Sequence, residues 1–83
     1  MPAALNLDLH AFTVEEALIE LDRYLYECYI ANLFMVRIVH GKGTGALREA
    51  VRRELSKHPL VASFSSATSS EGGEGATIVL LRD

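Results

Sequence analysis

The sequence predicts a single α/β domain in which two helices cover one face of a four-stranded mixed sheet, in the order βαβαββ. Two longer segments carry apolar residues at helical spacing, and short apolar or alternating segments of strand length stand before and after them. Glycine, serine and proline mark the breaks between these segments. The chain has 83 residues, of which 49% are hydrophobic and 23% charged, as expected for one globular domain with a modest core.

The first part of the chain predicts one strand and one long helix. Residues 6–10 alternate polar side chains with leucines, which predicts a strand with the leucines on one face. Thr13 followed three positions later by Glu16 is a capping box, so a helix should begin at Thr13. Its apolar stripe predicts that it ends near residues 31–32.

The rest of the chain predicts three strands and one helix. A β-branched run leads into a glycine-rich turn, and the second helix should stop at His58 because the residue before a proline avoids the helical region. A stretch rich in serine and glycine predicts a mobile loop. The predicted elements are strand 34–39, turn 40–45, helix 46–57, strand 60–64, loop 65–75 and strand 76–81.

Helical crossovers link the first three predicted strands, which should therefore run parallel, and the fourth strand should return antiparallel. In a sheet that grows in one direction, both helices lie on the same face. The parallel strands then end at one edge, which gathers His10, the turn 40–45 and the start of the loop. Ligands of open α/β sheets bind at this edge, so it is the predicted site. Residues 1–4 are expected to be a disordered lead, and 5–83 the domain.

The composition limits the classes of function. No apolar run reaches the roughly 20 residues that a membrane-spanning helix needs, so no membrane partner is expected. The single cysteine, Cys28, excludes an internal disulfide and suits the cytosol. Net charge is −3, but residues 13–31 hold five acidic side chains against one basic, whereas residues 42–57 hold five basic against two acidic. Charge alone leaves open whether the second segment faces phosphate or both are solvated helix faces.

The turn 40–45 is the first candidate for chemistry. Gly41, Gly43 and Gly45 permit positive φ and close approach of backbone N–H groups, and the following helix offers the positive end of its dipole. Lys42 adds charge and Thr44 a hydroxyl. The spacing matches neither the phosphate loop of nucleoside triphosphatases nor the dinucleotide fingerprint. A phosphate site and a tight turn without a ligand both remain open.

Asp8, His10 and His40 are the second candidate. Asp8 and His10 project from the same face of a strand, and His40 ends the neighbouring strand at the same edge. Histidine titrates near neutral pH, so it suits proton transfer in phosphodiester cleavage, and Asp8 would orient its ring. No metal site is predicted, because zinc needs at least three protein ligands at fixed distances. His58 is expected to interact with the helix dipole instead.

The helices supply two further surfaces. Arg48 and Arg52 lie four residues apart on the second helix, next to the glycine turn, and suit contact with backbone phosphates. Ile19, Tyr26 and Ile30 fall together on the first helix, opposite its buried stripe. Such a row predicts a weak partner surface, for self-association or for docking of a flanking segment.

Five motifs together resemble the Smr (small MutS-related) domain, over about residues 5–80. They lie at residues 7–10, 16–17, 40–45, 59–61 and 73–77. The residues of these motifs are most similar to those of the C-terminal Smr domain of the second bacterial MutS-type paralogue, which is associated with suppression of recombination. The resemblance implies a fold similar to the C-terminal domain of translation initiation factor three, a bacterial cytosolic protein and a larger parent chain. It also implies DNA nicking, or RNA cleavage in some relatives.

The family motifs fall on Asp8, His10 and residues 40–45, with one departure. The family usually has glycine after the histidine, whereas this chain has Ala11. If the backbone there needs positive φ or very close approach of a phosphate, alanine would hinder it. Catalysis is thereby put in doubt more than binding.

The sequence and the resemblance together indicate two alternative functions. In the first, the chain is an endonuclease domain in which the glycine turn and the two arginines hold phosphate, His10 and His40 transfer protons, and Asp8 orients or helps to bind. In the second, it is a non-catalytic module that binds DNA, RNA or a ribosome. A third, weaker reading is a protein-interaction domain. No cofactor is implied, and a requirement for magnesium or manganese is left open.

Overall fold

The computed structural model describes residues 6–69 and 73–83, and it confirms the α/β fold with its two helices and four-stranded mixed sheet. The predicted lead, residues 1–4, lies outside the described residues. The elements are β1 Asn6–Asp8, α1 Val14–Ile30, β2 Met35–Val39, α2 Ala46–Lys57, β3 Val61–Ser66, a short 3₁₀ turn Gly73–Gly75 and β4 Ala76–Leu81.

The strand order in the sheet is β1-β2-β4-β3. β1 and β2 are parallel, and β4 lies antiparallel between β2 and β3, so β3 points in the same direction as the first two strands. The predicted strand directions are therefore right, and β1, β2 and β3 follow one another in one direction across the sheet, which puts both helices on the same face. β4 inserts beside β2 because its apolar residues pair along both neighbours, with Val79 opposite Val36 on one side and Phe64 on the other.

One face of the sheet and the facing sides of the two helices form the core. Leucines of the β1 segment, alternate residues of β2 and β4, and the apolar stripes of the helices are buried together. Its fully buried side chains include Leu9, Leu21, Leu25, Ile38, Val51, Leu55 and Val79. The opposite face of the sheet carries no helix among the described residues, and the cross-strand pair Met35 and Leu80 lies exposed there.

α2 has its predicted bounds and α1 lies within two residues of them, and the two helices have different N-terminal caps. The Thr13 side chain accepts a hydrogen bond from the backbone of Glu16, and the Glu16 side chain accepts one from the backbone of Thr13, so the capping box is complete. Gly45 caps α2 in the left-handed conformation, with φ of 88°, and supplies no side-chain hydrogen bond. Neither helix is long and apolar enough to cross a membrane, over the part of the chain that the structure describes.

Two strand ends differ from the prediction by two residues, whereas β2 and β3 each start one residue late. β1 ends at Asp8, two residues early, because the Asp8 carboxylate accepts the backbone N–H of His10 and the Phe12 N–H bonds to the Leu9 carbonyl, which turns the chain. β3 extends to Ser66, two residues late, since β4 supplies ladder partners that outweigh the low strand propensity of serine. The predicted loop 65–75 is accordingly shorter, and its residues 70–72 lie outside the described residues.

Candidate nucleic-acid interface

An open cleft of about 230 Å³ lies where β1 and β2 end and α2 begins. The turn 40–45 forms much of its lining, together with the first residues of α2. The chain after β1 contributes His10, Phe12 and Val14. The structure thus brings His10, His40 and the glycine turn to one edge of the sheet, which is where the parallel strands predicted a site.

Asp8 and His10 form a hydrogen-bonded pair at this cleft. The His10 Nδ1 lies 2.6 Å from the Asp8 Oδ1, and the His10 backbone nitrogen donates to the same oxygen at 3.0 Å. Both side chains are largely exposed, at 63% for His10 and 56% for Asp8. The backbone N–H and then the imidazole of His10 lower the pKa of the Asp8 carboxyl, which therefore stays ionised at neutral pH. An ionised carboxylate only accepts, so Nδ1 donates and Nε2 is the ring atom left to accept a proton.

The glycine turn passes close to His10. Gly41 has φ of 80°, and a Cβ there would lie 3.4 Å from the Cβ of His10, so a side chain at position 41 would crowd the base of the His10 side chain. The N–H groups of His40 and Gly41 donate to the carbonyl of Gly75, at 3.0 and 2.9 Å. These two N–H groups therefore stabilise the fold, and N–H groups that could contact a ligand lie in the later part of the turn.

That later part is the open N-terminus of α2. The Ala46 N–H donates to the Thr44 hydroxyl at 3.3 Å, while Gly45 has no side chain with which to cap the helix. Ala46, Leu47 and Arg48 line the cleft. Uncapped N–H groups and the helix dipole make such an end favourable for an anion.

His40 lies at the same edge but is buried, unlike His10. Its Nδ1 donates to the Gly41 carbonyl at 3.0 Å, which leaves Nε2 to accept from the Thr77 hydroxyl at 2.9 Å. Burial lowers the pKa of His40, and the positive charges of Arg48 and Arg52 add to that effect. His40 is therefore neutral near pH 7, with both ring nitrogens engaged in bonds that hold the turn to β4.

The three predicted cations are placed differently. Lys42 lies exposed on the rim of the cleft. Arg48 lines the cleft, and its guanidinium pairs with the Glu74 carboxylate at 3.1 Å. Arg52 is not among the residues that line the cleft, because it donates to Ser66 at 2.6 Å and lies over the Phe64 ring.

The predicted partner surface lies on α1, away from the cleft. Ile19, Tyr26 and Ile30 are all exposed, and the Tyr26 ring packs 5.5 Å from that of His58. His58 itself is buried; its Nε2 donates to Asp22 at 2.8 Å, since its Nδ1 accepts the backbone N–H of Leu60. The expected dipole role of His58 is thus replaced by a bond between the two helices.

Ala11 does not impose the strain that its position suggested. Among residues 6–69 and 73–83, Asn32 is the one residue other than glycine with positive φ. Ala11 thus adopts a backbone conformation that any residue tolerates, and it is exposed. The glycine expected there is not needed for positive φ.

Sequence reasoning missed four residues at or behind the cleft: Phe12, Val14, Glu74 and Thr77. Phe12 and Val14 flank the cap of α1, where an apolar residue before the cap predicts a packing role. Glu74 and Thr77 reach the site from distant segments of the chain, and no local pattern connects them to Arg48 or His40.

The fold and the site define a two-layer α/β module with an open cleft beside an Asp–His pair. The chain belongs to the Smr domain family, whose model matches residues 7–82. It is 48% identical, over 95% of its length, to Endonuclease MutS2 from Caldicellulosiruptor saccharolyticus. The match covers 10% of that protein, so the chain spans about a tenth of the length of the curated relative.

Solved structures show the same fold. The Smr domain of Thermus thermophilus MutS2 superposes with a TM-score of 0.92 at 47% identity, covering 94% of this chain and 98% of that one. YdaL, a stand-alone small MutS-related protein from Escherichia coli, gives a TM-score of 0.87 at 29% identity, covering 99% of this chain and 67% of that one. The resemblance stated from the five motifs is therefore confirmed.

Proposed function

We propose that this domain is an endonuclease that nicks DNA, with the Asp8–His10 pair as its proton-transfer group. The single observation that carries the proposal is that an exposed, carboxylate-bound imidazole shares one cleft with a turn that leads into a helix N-terminus without a side-chain cap from its N-cap residue. A base and an anion site stand side by side there, as hydrolysis of a phosphodiester requires.

The geometry supports the following division of roles. The first turn of α2, with Thr44, Lys42 and Arg48, binds the phosphate. His10 Nε2 takes a proton from a water molecule as the water oxygen bonds to phosphorus. The bond from phosphorus to the leaving oxygen breaks, that oxygen takes a proton from solvent, and the imidazolium returns its proton to solvent. Asp8 orients the ring and stabilises its charge.

We propose that His40 does not transfer protons. Its two ring nitrogens already bond to Gly41 and Thr77, and its ring is buried. We assign it to positioning, because its bond to the Gly41 carbonyl holds the turn against which His10 lies. Arg52, held by Ser66 outside the cleft, would contribute to the positive field rather than to direct contact.

A non-catalytic binding module is the second candidate, and it is not favoured, since the curated relatives are named endonucleases. We propose that DNA is the substrate, with RNA as the alternative, and that the domain works in the bacterial cytosol. We also propose that it is part of a larger protein, since the match covers 10% of the relative's length. Self-association through Ile19, Tyr26 and Ile30 stays a prediction. The described residues hold no cluster of three or more histidine, cysteine or acidic side chains that could bind a metal.

Nicking of supercoiled plasmid by the purified domain tests the proposal. Relaxed circles should accumulate, and the rate should be measured in chelator, in magnesium and in manganese. The His10→Ala variant should lose about 10²–10⁴-fold in rate, the contribution of a general acid or base, while circular dichroism stays unchanged. Nicking by this variant at the wild-type rate would reject His10. Salt-dependent DNA binding without cleavage under any condition would establish the binding module instead.

A further inference from the structure

Phe12 is an exposed aromatic side chain on the lining of the cleft, and nothing in the proposed reaction uses it. It is 40% exposed and lies two residues after His10, in the turn between β1 and α1. Val14, also exposed, lines the cleft beside it. The cleft thus has an apolar part next to its phosphate-binding part.

The position of Phe12 before the helix cap leaves much of the residue exposed. Phe12 directly precedes the helix cap Thr13, a position where an apolar side chain commonly packs on the fourth helical residue. That residue is Ala17, a single methyl group that is already fully buried in the core. With 40% of the residue exposed, Phe12 keeps apolar surface in contact with water.

The neighbours of Phe12 indicate which ligand would cover it. The cleft that holds the ring also holds His10, Lys42, Thr44 and the start of α2, all suited to a phosphate. At about 230 Å³ the cleft is smaller than the roughly 300–1,000 Å³ that encloses a whole small-molecule ligand. A phosphate with a flat apolar group one sugar away fits this combination, and a nucleobase is such a group.

We propose that Phe12, supported by Val14, is a stacking platform for an unpaired nucleobase next to the bound phosphate. A base in a duplex has both faces covered by its neighbours, so an aromatic ring can stack on it only where the strand is single or the base is turned out. The site therefore takes single-stranded or locally unpaired nucleic acid. This inference rests on the proposed phosphate-binding function of the same cleft and specifies the form of its substrate.

Binding of two fluorescently labelled oligonucleotides by fluorescence anisotropy tests the platform. One is a thymidine homopolymer, and the other has the same length and backbone with abasic residues throughout. Phe12→Ala should weaken binding of the homopolymer about 5- to 150-fold, the range for one aromatic–base stack, and leave binding of the abasic strand unchanged. Phe12→Trp should restore homopolymer binding. Phe34→Ala is the matched control, because Phe34 is 38% exposed and does not line the cleft.

The outcomes separate this inference from the proposed function. Equal affinities of wild type and Phe12→Ala for the homopolymer would overturn the platform while leaving phosphate binding intact. An equal loss on both strands would also overturn it, since it would indicate a disturbed phosphate site. If the wild-type domain binds neither strand at low salt, the proposed function and the platform fail together. Urea unfolding of Phe12→Ala confirms that the variant is folded.

Discussion

Replacement of Asp8 by alanine is the sharpest test of the Asp8–His10 pair, because the structure predicts one magnitude for the loss of stability and another for the loss of nicking rate. Asp8 accepts two hydrogen bonds from His10, one from the backbone and one from the ring. The ring bond joins two exposed side chains, a pairing worth about 0.2–1 kcal/mol. The backbone bond adds about 0.5–1.5 kcal/mol. Together they predict a loss of about 0.7–2.5 kcal/mol of unfolding free energy.

The expected loss of activity is smaller than that from removing His10 itself. If Asp8 acts through the orientation of the imidazole, the ring bond of about 0.2–1 kcal/mol corresponds to a rate decrease of about 1.4- to 5-fold. Removal of the proton acceptor corresponds to about 10²–10⁴-fold. Because the pKa of Asp8 is lowered below its usual 3.8, the carboxylate is ionised over the whole working range, so titration of Asp8 itself adds no pH dependence to the nicking rate between pH 6 and 8.

The assay is plasmid nicking at enzyme excess, with urea unfolding of the same samples. Asp22→Ala is the matched control: Asp22 is 55% exposed and accepts from a histidine at 2.8 Å, as Asp8 does, but outside the cleft. It should lose about 1–3 kcal/mol of stability, because a buried His58 donor is left unpaired, and keep the wild-type nicking rate. A wild-type rate for Asp8→Ala would refute the orienting role. A loss as large as that of His10→Ala would assign Asp8 to direct contact with the substrate.

Two further predictions concern the charges behind the cleft. Glu74→Gln frees the Arg48 guanidinium and should raise affinity for single-stranded DNA by up to about 5-fold at low salt, measured by fluorescence anisotropy. Glu54→Gln is the control, because it changes the net charge equally but away from the cleft, and it should raise the affinity less. Equal gains for the two variants would show that Glu74 does not compete with phosphate for Arg48. Burial lowers the pKa of His40 below its usual 6.5, so the unfolded chain binds the extra proton first, and the unfolding free energy should fall as pH drops below about 6.5. His40→Gln, whose amide can bond to the Gly41 carbonyl without titrating, should lose less stability than wild type between pH 7.5 and 5 in urea unfolding; identical slopes would contradict this account.

Local sequence patterns were sufficient to predict the helices and the general location of the site. The capping box at Thr13 and the stop at His58 gave the bounds of α1 and α2, because helix ends depend on residues within one turn of each other. The rule that parallel strands end at one edge predicts from sequence alone that His10 and His40 lie at the same edge of the sheet. The strand ends were less accurate, as β1 and β3 show, since strand length depends on partners that are distant in the chain.

The sequence by itself determined the α/β class, the family motifs and the identity of the groups able to transfer a proton or bind phosphate. Only the tertiary structure decided that His10 is exposed while His40 is buried. That difference depends on Thr77 of β4 and on Gly75 of the 3₁₀ turn before it, which both bond to His40. It also decided that Arg48 reaches the cleft and Arg52 does not. The physical reason is that burial, and with it pKa and availability, is set by contacts between segments that the order of residues does not bring together.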